Sequence, residues 1–260
     1  MKNERTIGNL LVHGIKRLYQ KSNIDKDLHD DAKDRVFCPI CGSSFPIFGS
    51  VGVKKRENAL CHECHSLERH RLMYLYLASL GLFNDTGNVT LLHFAPEKAL
   101  YQIFSEAEHI EYHPCDLSPK RFKDPKSVPN KKVDIPAIPF ENDSFDMIIC
   151  NHVLEHIPDD KEAMDELYQV MKKGGRGYFQ VPIDYNRDKT YEDFSLNKKW
   201  QRKIAFGQHD HVRYYAKDYK DKLAERGFKI QVDDYVTCFS KEEQFKLGLD
   251  PEERIYFCEK

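Results

Sequence analysis

The sequence predicts an α/β fold, a doubly wound and mostly parallel sheet with a small cysteine-rich module ahead of it. From residue 89 onward, strand-like apolar runs alternate with helix-like ones, and strands separated by helices pair in parallel. Between residues 35 and 65, four cysteines stand as two C-x2-C pairs. At 260 residues and 40% hydrophobic, the chain can bury a full core and still append something small.

The elements follow in order. Ile7, Leu10, Leu11, Ile15 and Leu18 fall at helical spacing, with Lys16, Arg17 and Lys21 elsewhere on the surface. That pattern predicts a docked amphipathic helix; a basic helix on a membrane surface is the alternative. "NIDKDLHDDAKD" is a polar linker and closes a first region, 1–34. The cysteine-rich module spans 35–65 and the α/β domain 66–260. "SLERHRLMYLYLASL" reads as a helix ended by Gly81 and "NDTGN". "VTLLHF" is a strand, "EKALYQIFSEA" a helix, and "HIEYHPCD" and "KKVDI" the next strands. "SFDMIICNHV" is a fourth strand, and the helix "DKEAMDELYQVMKK" is expected to stop at Gly174 and Gly175 before "GYFQVPI". A long polar segment, 184–213, breaks the rhythm as a lid or insertion. A helix "AKDYKDKLAERG" follows, and the strands "FKIQVDDYV" and "ERIYFCE" suit a hairpin with a long loop.

Charge and composition narrow the function. Lys plus Arg is 40 against 42 Asp plus Glu, a net charge of -2, which argues against a protein whose main task is to wrap nucleic acid. No long apolar run exists, and "MKNERTIGNLL" does not read as a signal peptide, so a cytoplasmic protein without a membrane span is expected. In that compartment the eight cysteines read as thiols or metal ligands rather than disulfides.

Cys38, Cys41, Cys61 and Cys64 form a C-x2-C-x19-C-x2-C arrangement. A two-residue gap lets a tight knuckle turn both sulfurs toward one ion, and two knuckles close a tetrahedral thiolate shell around Zn2+. Four protein ligands leave no open position, so the metal is expected to be structural. His62 or His65 replacing a cysteine is left open by the spacing. Residues 35–75 carry Arg35, Lys54, Lys55, Arg56, Arg69 and Arg71 against Glu57, Glu63 and Glu68, an excess that suits either a phosphate-bearing partner or a solvated surface.

In an open parallel sheet, ligands bind beyond the carboxyl ends of the strands, where strand order reverses. Polar residues stand at several predicted ends. Asp116 closes "EYHPCD", Asp134 sits beside Ile135 in "KKVDIP", and Asn151 and His152 close the fourth strand. Each alone reads better as a loop carboxylate or a helix cap; several together are a less common coincidence. "FENDSFDMIICNHVLEHIPDDKEAMDELYQVMKKGGRGYFQVP" resembles the central block of the class I S-adenosylmethionine-dependent methyltransferases of the type 11 group. "DHVRYYAKDYKDKLAERGF" resembles a later segment of the same group. "CPIC" and "CHECHSLERHRL" ahead of "LLHFAPE" resemble a bacterial subgroup that fuses a zinc ribbon to this domain.

The resemblance implies a Rossmann-like sheet of seven strands with one antiparallel, and S-adenosylmethionine as cofactor. It places Asp116, with Leu117 beside it, at the ribose, Asp134 and Ile135 at the adenine, and the Asn151–His152 corner near the methionyl part. The family's glycine-rich turn falls on His93 to Lys98, where glycine is absent, and the resemblance makes His93, Phe94, Ala95 and Glu97 its cofactor-binding candidates. Ala95 is small, and Glu97 is expected to face the cofactor's ammonium or to act on the helix dipole, or both.

Methyl transfer needs alignment and, for a hydroxyl acceptor, a base. His152, Asp210 and His211 are the catalytic candidates, with Arg213, Tyr214, Asp184 and Tyr185 nearby in sequence. His156 reads as a helix residue bonded to backbone. Trp200 stands between Lys198, Lys199, Arg202 and Lys203, either stacking on a sugar or base next to phosphate or anchoring a polar lid. The leading expectation is O-methylation of a small or glycan-linked acceptor. RNA methylation and a non-catalytic zinc-ribbon binding module are the alternatives.

Overall fold

The computed structural model describes residues 35–52, 55–83, 87–119 and 131–260. The expected helix at 5–21, the polar linker and Lys54 lie outside the described residues. The described residues pack as two compact units: one holds those within 35–87, 97–103 and 234–254, the other those within 88–96, 104–233 and 255–260.

In the first unit, β1 (Val36–Phe37) pairs antiparallel with β2 (Ser44–Phe45), and β3 (Gly49–Val51) with β4 (Arg56–Leu60). Val36, Cys38, Phe48 and Cys61 are buried between these short hairpins. Helix α1 (Glu68–Ser79) belongs to the same unit, beyond the residue-65 end that the cysteine spacing gave the module. So does a helix the sequence reading passed over, Lys241–Leu247. Its Ser240–Glu243 capping box and left-handed Gly248 are ordinary start and stop signals.

Arg71 on α1 is fully buried here. Its guanidinium donates to the carbonyls of Ser66 (2.8 Å), Ala59 (2.9 Å), Leu247 (2.8 Å) and Gly248 (2.6 Å). A Cβ on Gly248 would lie 2.6 Å from that guanidinium, so the close approach requires glycine. Arg56 is paired with Glu68 at 2.9 Å. Two of the cations behind the expected basic excess are thus spent inside the unit, one of them out of reach of any partner.

The second unit is a seven-stranded sheet. β5 (Val89–Phe94) leads into α2 (Lys98–Glu106), whose residues from Phe104 onward pack in this unit. β6 (Ile110–Asp116), β7 (Lys131–Lys132), β8 (Phe145–Asn151), α3 (Asp160–Val170) and β9 (Met171–Gln180) follow. Asp159 caps α3 by accepting from Glu162 N, and Ala163, Met164, Leu167 and Val170 form its buried stripe. The sequence expected this helix to run to the paired glycines. It ends at Val170, because buried Met171 already pairs with Phe145 in the sheet, and Gly174 lies within β9, where the β8–β9 register shifts.

The segment 184–213 has more structure than a lid reading expects. β10 (Ile183–Asp184), β11 (Tyr191–Glu192) and β12 (Arg213–Ala216) form a small sheet in the order β10-β12-β11, with α4 (Lys199–Phe206) between its strands in sequence. The expected helix from Ala216 therefore starts later, as α5 (Tyr219–Ala224). β13 (Lys229–Asp233) and β14 (Ile255–Glu259) pair antiparallel, as the hairpin reading expected.

The main sheet runs β13-β14-β9-β8-β5-β6-β7, with β14 antiparallel to both neighbours and the other pairings parallel. It is a Rossmann-like sheet of seven strands with one antiparallel, as the resemblance implied. Strand order reverses between β5 and β8, so the carboxyl ends of β5, β6 and β8 frame the expected ligand position. No described helix is long and apolar enough to cross a membrane.

Candidate cofactor and acceptor site

Register sets the site. Phe94 of β5 pairs with both Cys115 of β6 and Cys150 of β8. The next residues, Ala95, Asp116 and Asn151, therefore leave three adjacent strands at one level. Asp116 is buried, and its Oδ1 accepts from Ser118 N at 2.6 Å, which fixes the carboxylate at the strand end. Leu117 beside it is 54% exposed, a large apolar side chain set on the surface next to a buried acid. Val133 N donates to Asp116 O at 3.1 Å and continues the row toward Asp134. Asp134 is exposed, and its carbonyl accepts from Ala137 N in a turn, whereas Ile135 is packed into the core.

The corner without glycine keeps a glycine's backbone. Ala95 has φ 48°, in the left-handed region, and its N–H donates to Cys115 O at 2.8 Å. The sharp exit from β5 is thus made with an alanine, at a cost of about 1 kcal/mol. His152 repeats the device after β8, with φ 54° and a bond from its N–H to Gln180 O at 2.7 Å. A95G is expected to raise unfolding free energy by up to about 1 kcal/mol, as strain relief exceeds the added freedom of the unfolded chain. Denaturant melts of the two proteins test this, and a less stable A95G would show that the alanine is unstrained.

The other residues of the expected turn lie elsewhere. His93 is fully buried within β5, with Nδ1 3.0 Å from Tyr112 Oη and its ring edge-on to Phe104. Phe94 is in the core. Glu97 belongs to the first unit, where its carboxylate lies 3.6 Å from His70 Nε2.

Beyond β8, the chain gathers histidines around one buried acid. Glu155, which the sequence reading did not single out, is only 2% exposed. Its Oε1 lies 3.5 Å from His152 Nδ1 and 4.0 Å from His211 Nε2. Burial pushes the Glu155 carboxyl up, but His152 and His156 outweigh it and hold the group below its ordinary value. Burial lowers the His211 imidazole, so its neutral form is favoured. Asp210 pairs with His156: His156 Nδ1 is 3.3 Å from the Asp210 carbonyl and 3.6 Å from its carboxylate. His156 is bonded to backbone, from a 3-10 turn, Leu154–His156.

Arg213 locks this arrangement. Fully buried, it donates to the carbonyls of Leu154 (3.1 Å), Ile157 and Pro158 (2.8 Å) and to the Glu192 carboxylate (3.1 Å). Val212 N donates to Glu155 O at 3.0 Å. The loop bearing Glu155 and His156 is thereby tied to the strand that follows His211. Asp184 is held in a local turn by Asn186 N and Arg187, and Trp200 is 61% exposed rather than an anchor.

In the first unit, Cys38, Cys41, Cys61 and Cys64 bring their sulfurs within 4.8 Å of one another. Cys38 and Cys64 are 3.6 Å apart, and Cys41 and Cys61 3.7 Å. A zinc tetrahedron with bonds near 2.3 Å puts sulfurs about 3.8 Å apart, so the four fit the ion. Both knuckles use one backbone form: Gly42 (φ 73°) donates to Cys38 O, and His65 (φ 58°) to Cys61 O. His62 stays out of the cluster, with Nε2 at Ile47 O and its ring on Phe45.

Residues 92–179 match the family described as a methyltransferase domain. No curated protein sequence matches the chain. Among solved structures, the chain is similar to an S-adenosylmethionine-dependent methyltransferase from Archaeoglobus fulgidus, at 16% identity and a TM-score of 0.48 over 76% of this chain and 96% of that one. A Mesorhizobium loti S-adenosylmethionine-dependent methyltransferase aligns at 14% identity and a TM-score of 0.46, over 71% and 97%. A complex of the Haloferax volcanii Trm112 activator with a methyltransferase gives 14% and 0.48, over 74% and 90%.

Proposed function

We propose that the chain, whose residues 92–179 match a methyltransferase domain, is an S-adenosylmethionine-dependent methyltransferase and that its acceptor is a hydroxyl of a small or glycan-linked molecule. One observation supports the hydroxyl: His152, at the end of β8, is braced 3.5 Å from a buried carboxylate that can orient its ring and stabilise it once protonated. Bound S-adenosylmethionine supplies a methyl on a sulfonium, an electrophile that needs alignment more than activation.

The residues around it do the rest. Asp116 accepts hydrogen bonds from the ribose hydroxyls, and exposed Leu117, rather than buried Ile135, offers its aliphatic surface to the adenine. Asp134 is exposed to meet the exocyclic amine. Asn151 holds the methionyl end. His152 removes the acceptor's proton, and exposed Trp200 offers a stacking face to a sugar. The cysteine cluster holds Zn2+ in a closed structural shell.

Two measurements test the reading. D116N, of the same shape, should weaken S-adenosylmethionine binding by about 10- to 100-fold, since charge-assisted hydrogen bonds are worth roughly 1.5–3 kcal/mol. Unchanged affinity by calorimetry would remove Asp116 from the site. Methyl-labelled cofactor is then offered to extract fractions separated into small molecules, glycans, lipids and RNA. Label in the glycan or small-molecule fraction, on oxygen by mass spectrometry, is the expected result. Label confined to RNA would overturn it.

A further inference from the structure

The Glu155 cluster contains more unsatisfied chemistry than a general base requires. Glu155 Oε2 and both ring nitrogens of His211 are buried without a hydrogen bond among the described residues. His211 also has an electrostatic contact with the Phe206 backbone. Glu155 is 2% exposed and His211 3%, so water does not satisfy these atoms freely. An unpaired buried polar atom costs about 1–3 kcal/mol, so Glu155 Oε2 and a His211 nitrogen in one place are a burden for a fold to retain without use. One ligand atom each from Glu155, His156 and His211 lies within 4.8 Å of the others.

We propose that Glu155, His156 and His211 bind a divalent transition-metal ion of the zinc and cobalt class, distinct from the one held by the cysteines. The donor set is right for it, two imidazoles and a carboxylate, with three protein ligands leaving a position open. Outer support is in place as well. His156 presents Nδ1 to the Asp210 carbonyl and carboxylate, which leaves Nε2 for the ion and raises its basicity. Glu155 turns Oε1 to His152 and retains Oε2 for the metal. His156 is about one-third exposed, so the open position faces outward through it. On the acceptor reading above, on which this last step alone rests, an acceptor oxygen takes that position and its proton is more easily lost to His152.

Full-length protein holding one zinc per chain, in the cysteine cluster, is titrated with Co2+ and followed by visible absorption and calorimetry. One additional Co2+ per chain is expected, with weak ligand-field bands and no thiolate charge-transfer band. H156A, at a partly exposed position, and E155Q, of equal volume, should each weaken that uptake by at least tenfold. Circular dichroism checks that both variants are folded. No additional Co2+, uptake by both variants equal to that of wild type, or a thiolate band alone would overturn the site. The readout does not involve methyl transfer, so it can fail while the hydroxyl reading stands, and the reverse.

Discussion

Arg71→Ala is expected to lower the stability of the unit that holds the cysteine cluster by about 4 kcal/mol, a large part of what a domain of this size has. The reason is geometric. Four backbone carbonyls converge on one guanidinium, and two of them, from Leu247 and Gly248, are the unpaired carbonyls at the end of helix Lys241–Leu247. A cation at a helix C-terminus is favourable in itself, and here it also rests over the Phe48 ring at 4.2 Å. Removing it leaves buried acceptors that each cost roughly 1–3 kcal/mol, partly offset by any water that enters the space. Arg71→Lys keeps the charge but lacks the planar fork, and should fall between.

With Zn2+ in the cysteine cluster as proposed, the same substitution should loosen the ion. Arg71 also reaches Ser66 Oγ at 3.4 Å, and that hydroxyl lies 3.4 Å from Cys38 Sγ and 3.2 Å from Cys64 Sγ. Four thiolates around Zn2+ leave two net negative charges, which a buried cation one hydroxyl away stabilises. R71A should therefore lose zinc to a chelator at least tenfold faster than wild type, followed by a zinc-sensitive dye. Wild-type denaturation together with wild-type zinc retention would show that the buried guanidinium is dispensable.

What the sequence revealed, and what it hid, follows from the range of the interactions. Strand ends were legible, because an apolar run that stops at Asp116 or Asn151 states both a strand and its polar exit. The cysteine knuckles were legible for the same local reason. Arg71 was misread as part of a basic surface, because nothing near it in sequence announces that Leu247 and Gly248 will supply carbonyls 176 and 177 residues away. Glu155 was passed over for similar cause: its value lies in His211, which Arg213 brings to it from a distant strand. Ala95 shows a different limit, since a left-handed turn is ordinarily read from glycine, and here the fold imposes it on a residue that resists it. Helix Lys241–Leu247 was within reach, for "SKEEQFKLG" carries both a capping box and a terminal glycine.

His152→Ala is expected to reduce kcat by 10²- to 10⁴-fold, the ordinary contribution of a positioned general base. S-adenosylmethionine affinity should change much less, because the adenosine contacts assigned to Asp116 and Leu117 are untouched. The expectation rests on three features of the residue. Its left-handed backbone, φ 54°, turns the chain out of β8 at the level of the cofactor row. Nδ1 faces Glu155 at 3.5 Å, which leaves Nε2 as the proton acceptor. That Nε2 is shielded from solvent and makes no hydrogen bond among the described residues, so no other group competes for the acceptor's proton. Single-turnover transfer of labelled methyl to the identified acceptor separates the outcomes. A loss in rate at saturating cofactor, with KM for the cofactor nearly unchanged, places His152 at the reacting atoms. A variant that transfers methyl at the wild-type rate would mean that the acceptor arrives already deprotonated or is not a hydroxyl. E155Q should lose less rate than H152A, because the amide can still orient the ring but not stabilise its charge.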